Sequence, residues 1–123
     1  MNDMLPLIGS AVAAIWGVAH IVPVRTVIAG FEPLTQDNRR IILMEWVAEG
    51  LFLIFIGVLC ATITLFGSPD GSVREIGYLL SSAMLLGMAV WSLFTGARTS
   101  VIPMKLCPWV KTVAAVLIGL GAL

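Results

Sequence analysis

Glu45 and Glu49 stand four residues apart in RRIILMEWVAEGLFLIFIGVLCATITLF, an apolar run long enough to cross a bilayer. On a helix that spacing places both carboxylates on one face, with Cβ atoms roughly 6 Å apart. An ionised group at membrane depth costs at least ~2.5 to 3.5 kcal/mol, so the pair needs partners, protons or water. Burial raises a carboxyl pKa and a nearby cation lowers it, so two glutamates in different surroundings can divide into an acid and a base. His20, the one histidine, and Arg98 complete the usual materials of proton transfer. Glu49, Glu45, His20 and Arg98 are therefore the candidate catalytic residues. The plainer alternative is a charge-neutralising network, in which Arg98 or Arg25 offsets a glutamate and His20 completes the hydrogen bonds.

Three tryptophans, Trp16, Trp46 and Trp91, fall in the same layer as these groups. With Met88 and Thr95 they are the candidate walls of a ligand cavity; in their ordinary role they would be packing groups and interface anchors. His20, Glu45 and Glu49 are metal-binding types, but no His/Cys spacing accompanies them, so neither a metal nor a cofactor is expected.

The composition says what must hold these groups. Of 123 residues, 59% are apolar and 11% charged, against roughly 25% charged in soluble domains. The expectation is one integral-membrane domain over 1–123, an all-α bundle of four transmembrane helices at about 5–30, 37–66, 73–97 and 107–123. Pro6 suits a first turn, and Pro23 is expected to kink or stop the first helix; residues 24–31 are read as its continuation past the kink. Cap-type residues cluster at Thr35 to Asn38 before the second helix. Ser72 and Glu75 form a capping box before the third, and Pro108 is the expected first residue of the fourth. Starting there, the fourth helix spans only about 24 Å, short for a ~30 Å hydrocarbon core, unless it begins before Cys107.

Six basic residues (Arg25, Arg39, Arg40, Arg98, Lys105, Lys111) fall in or beside the first and third links, against Arg74 alone in the second. The positive-inside rule then places both termini outside, in a bacterial-type inner (plasma) membrane. The N-terminus lacks a basic n-region, so the first apolar run is read as retained. Cys60 and Cys107 would lie at opposite faces, which argues against a disulfide. Net charge is zero and no basic patch suggests nucleic acid.

In lipid, helices meet through small residues. The faces expected to meet are Gly9, Ala13 and Gly17 on the first helix, and the stripe from Glu45 and Glu49 through Leu53, Ile56, Gly57 and Cys60 on the second. On the third they are Gly77, Met84, Gly87, Met88, Trp91, Thr95 and Arg98.

The segment AEGLFLIFIGVL resembles the corresponding helix of the small four-helix DoxX-like membrane proteins, with Glu49, Gly50 and Gly57 at the matching positions. The arginine that opens that family's first helix has no counterpart here. The resemblance implies the four-span plan and, through members described as quinone-using oxidoreductase subunits, a redox partner. Small multidrug transporters are of similar size with one membrane glutamate, but theirs lies in the first helix and both of these lie in the second.

The leading expectation is a membrane-embedded acid/base enzyme of isomerase, cyclase or hydrolase type, acting on a lipophilic small molecule in a cavity open to the cytoplasmic leaflet. One alternative is a non-catalytic quinone- or lipid-binding subunit of a membrane redox complex; another is a small proton-coupled exporter. Expected partners are the lipid bilayer, the lipophilic molecule, and a second copy of the chain or a larger membrane protein.

Overall fold

A computed structural model describes residues 3–68 and 71–123. The described residues are mostly helical: α1 (Met4–Ile21), α2 (Val24–Ala29), α3 (Gln36–Phe66), α4 (Ser72–Phe94) and α5 (Ile102–Gly119). Short 3-10 turns follow α4 at Gly96–Arg98 and α5 at Leu120–Ala122. Among the described residues there is no strand. Four helical stretches (α1, α3, Ser72–Arg98 and Ile102–Ala122) are long and apolar enough to cross a membrane.

The prolines set the boundaries, not always as expected. Pro23 ends α1 rather than kinking it: proline has no N–H to donate and its ring clashes with the preceding turn. The chain restarts as the separate six-residue α2, with Pro23 at its N-cap. Thr35 caps α3 as expected, its hydroxyl accepting from the Asn38 N–H at 3.2 Å. The expected capping box at α4 does not form: Gly71 is the N-cap, Ser72 is already helical, and no side chain caps the turn. In α5, Pro103 occupies the opening turn and Pro108 lies inside the helix. A span of 21 residues from Ile102 to Ala122 covers about 31 Å, a full hydrocarbon thickness.

Packing is carried by close backbone approach. A Cβ on Gly17 would lie 2.6 Å from the Gly50 carbonyl oxygen, and one on Gly57 would lie 2.5 Å from that of Ser10. Bare Cα atoms therefore seat α1 directly on α3, while Gly9 turns the other way, against Ala114, Leu117 and Ile118 of α5. So α1 sits between α3 and α5, and α4 packs mainly on α5. The core gathers Leu53, Ile56, Cys60, Tyr78, Leu85 and Ile118. The stripe expected on α3 is the buried one from Leu53 to Cys60. On α4 the buried line is Tyr78, Ser81, Leu85, Ala89 and Ser92, one step round from the expected face. Large apolar side chains such as Ile15, Phe55, Leu80 and Val90 point outward.

At the end of the bundle away from Glu49, Arg74 is buried, paired with Asp3 and set 5.5 Å from the Tyr78 ring. Tyr78 shares a 2.6 Å hydrogen bond with Thr64. The start of α1 lies beside the first turn of α4, and that proximity lets Asp3 meet Arg74.

Gly17→Ala and Gly87→Ala make a controlled pair. Each gains up to ~1 kcal/mol of helix propensity. A Cβ on Gly87 meets nothing within 4 Å, whereas one on Gly17 must push α3 away. Thermal unfolding in detergent should show Gly87→Ala neutral or stabilised, and Gly17→Ala destabilised by about 1–3 kcal/mol.

Candidate functional site

The end of α1, the first half of α3, the end of α4 and the first half of α5 enclose a cleft of about 450 Å³. Its polar wall is a linked set of side chains from all four helices. Glu49 of α3 bridges two of them: one carboxylate oxygen takes the Lys111 ammonium of α5, and the other stands 3.5 Å from Nε2 of His20 on α1. Lys111 Nζ also donates to the Ser92 hydroxyl of α4 at 2.9 Å, and that hydroxyl donates to the Met88 carbonyl at 2.8 Å. The Lys111 side chain is 1% exposed, that of His20 3%, and that of Glu49 35%. The carboxylate is thus the group that reaches into the cleft, with its charge already met from behind.

His20 is held by its neighbour. The Trp46 ring stacks on the imidazole at 4.3 Å between centroids and 10° between planes. The indole N–H donates to the His20 backbone carbonyl. Both contacts depend on the Gly17–Gly50 approach one turn away, which brings the end of α1 against α3. At 3.5 Å the His20 Nε2 is beyond a well-formed hydrogen bond to Glu49, and it has no hydrogen-bond partner among the described residues. A buried polar nitrogen without a partner is costly, and Trp16 Nε1 and Arg74 Nε share that condition elsewhere in the bundle.

The remaining wall is apolar and soft: Met84, Met88 and Trp91 of α4, Met104 and Cys107 of α5, with Gly87 opening space. Thr95 is at the rim, its hydroxyl committed to the Trp91 carbonyl at 2.8 Å. Cys60 and Cys107 are both buried free thiols, Cys60 in the core and Cys107 in this wall.

Of the residues singled out from sequence, the structure brings together His20, Glu49, Trp46, Trp91, Met88 and Thr95. It does not bring in the other three. Arg98 was placed on the α4 stripe by continuing the helix, but α4 ends at Phe94 because Thr95 breaks the helical dihedrals (φ −120°, ψ −91°). Its guanidinium lies exposed, 5.6 Å from the Phe94 ring. Glu45 is exposed and lines a neighbouring groove; the two carboxylates share a helix face but not a cavity. Trp16 is partly buried against the core, with its Nε1 unpartnered, one turn short of the cleft.

Lys111 and Ser92 are the residues the sequence reading missed. With a helix start at Pro108, Lys111 stands three residues in and looks interfacial. From the true start at Ile102 it is nine residues in, about 14 Å along the axis. The signal was present: Lys111 is the one charged residue from Leu106 to Leu123, and a cation inside an apolar run calls for a named acid partner.

Comparison with family profiles, with curated proteins and with solved structures found no match to this chain.

Truncating Lys111 to Met strands the Glu49 charge, which should cost on the order of 3 kcal/mol, the lower end for a broken buried pair because Glu49 retains some access. The double variant Lys111→Met with Glu49→Gln should recover most of that loss. A double-mutant cycle on thermal unfolding in detergent measures both; strict additivity would contradict the pairing.

Proposed function

We propose that the cleft takes up a neutral lipophilic molecule and performs acid–base chemistry on it, Glu49 exchanging the proton and His20 donating to or accepting from the polar group of the substrate. The observation that supports this most is the pairing geometry. A carboxylate with its charge offset by Lys111 faces an apolar cleft beside an imidazole nitrogen that lacks a partner. Because Glu49 and Lys111 cancel, the site presents no net charge to a ligand and favours a neutral head, such as a hydroxyl or carbonyl, over an ion. Aromatic and methionine walls suit a flat or prenyl-like apolar body. An isomerase, cyclase or hydrolase reaction on an isoprenoid-, quinone- or sterol-like molecule fits these materials. Glu45 and Arg98 have no part in this version of the site; Lys111 takes the role first assigned to Arg98.

The setting proposed with it is a bacterial-type inner membrane, with both termini outside and the cleft toward the cytoplasmic leaflet. The basic links support this orientation: Arg39, Arg40, Arg98 and Lys105 lie at the cleft end of the bundle. The second reading, a non-catalytic quinone- or lipid-binding subunit, draws on one observation: a single carboxylate reaches the cleft, and it is held by Lys111. The proposed resemblance to DoxX-like proteins at Glu49, Gly50 and Gly57 points the same way.

Mass spectrometry of molecules extracted with the purified protein separates the readings. Gly87→Phe, which fills open space, should lose the bound species while keeping the fold. Glu49→Gln should keep the bound species and abolish its conversion when the protein is incubated with total membrane lipid. A wild-type protein that returns its bound molecule unchanged supports the subunit reading instead.

A further inference from the structure

A second groove of about 460 Å³ adjoins the cleft, and four residues, Trp46, Glu49, Met84 and Met88, line both. Its remaining wall comes from α3 alone: Ile41, Ile42, Glu45, Ala48 and Phe52. From Ile41 to Phe52 it follows α3 for about 16 Å. It exists because α3 is seated on α1 and α4 on α5, so that α3 and α4 meet little in this half of the bundle. Gly87, with nothing near its missing Cβ, keeps the wall of the adjoining cleft thin.

Resting on the reading of the cleft as a ligand site, we infer that the two spaces are one elongated site for a single amphiphile. Its neutral head lies at Glu49 and His20, and one long apolar tail crosses the neck at Trp46, Met84 and Met88 into the groove between α3 and α4. The groove does not draw the tail in by hydrophobicity, since surrounding lipid is equally apolar. Its role is steric: a tail attached to a head in the cleft needs a way out, and the shared neck continues into an apolar channel open to the bilayer. The substrate class is thereby narrowed to molecules with a hydroxyl or carbonyl head and a single extended hydrocarbon or prenyl chain. Entry is sideways from the membrane. Glu45, exposed part-way along the groove between Ile41 and Phe52, is a rim group and not a second catalytic acid.

The test uses para-ethylphenol and para-dodecylphenol as short- and long-tailed probes, their bound fractions read by native mass spectrometry of the full chain released from micelles. Gly87→Phe blocks the head position and should abolish binding of both. Ala48→Trp puts bulk on an exposed groove position and should leave para-ethylphenol unchanged while lowering para-dodecylphenol affinity by roughly tenfold or more. Ile42→Trp, on the same wall, should repeat that selectivity and guards against one variant acting through the fold. Equal losses for both probes, or no loss for the long one, overturn the elongated site and leave the cleft assignment standing. Failure of Gly87→Phe to affect either probe overturns both. A co-purifying phospholipid that Ala48→Trp displaces without any change in probe binding assigns the groove to bulk lipid and also overturns the proposal.

Discussion

A carboxylate and an ammonium cannot be left singly among apolar side chains, and that constraint organises this molecule. Lys111 is almost wholly enclosed, so its charge has to be met inside the bundle, and Glu49 meets it. The two residues sit on α3 and α5, helices kept apart by α1, so the pair ties elements whose backbones do not pack closely. Ser92 brings α4 into the same network through the Lys111 ammonium. Desolvating such a pair is expensive, and a hydrophobic replacement of both partners is often no less stable.

The second organising element is the absence of side chains at Gly17, Gly50 and Gly57. For helices long and apolar enough to cross a membrane, dispersion at close range and a few hydrogen bonds are what lipid would leave to hold them together. The bare surfaces let α1 lie on α3, and this contact delivers His20 to Trp46 and Glu49. The same seating has a cost on the opposite side. Once α3 follows α1 and α4 follows α5, a gap remains between α3 and α4, and both cavities occupy it. The tight interface and the open one are two consequences of one arrangement.

Polar hydroxyls away from the cleft are spent locally. Thr62, Thr64, Thr112 and Ser10 each return a hydrogen bond to the carbonyl four residues earlier, and Ser82 reaches across to the Ala115 carbonyl. Satisfied in this way, with Thr64 also bonded to Tyr78, they are tolerated within a mostly apolar bundle. Three buried nitrogens are not satisfied in this way, Trp16 Nε1, Arg74 Nε and His20 Nε2, and of these only His20 Nε2 lies in the wall of the cleft, 3.5 Å from Glu49.

What could be read from the sequence follows local rules. Apolar runs marked four helices, Thr35 marked a cap, and the four-residue spacing put Glu45 and Glu49 on one face. Glu49, His20 and Trp46 could be named together because polar groups within the apolar runs are few. What local rules could not decide was where helices end and which neighbours cover which face. A break at Thr95 moved Arg98 off the stripe, and a start at Ile102 instead of Pro108 carried Lys111 from the interface into the interior. Which of two carboxylates one turn apart meets a cation depended on the placement of α5, a long-range contact that residues on α3 do not encode. Proline permits both a helix start and a helix interior, and only the packing of the surrounding helices selects between them.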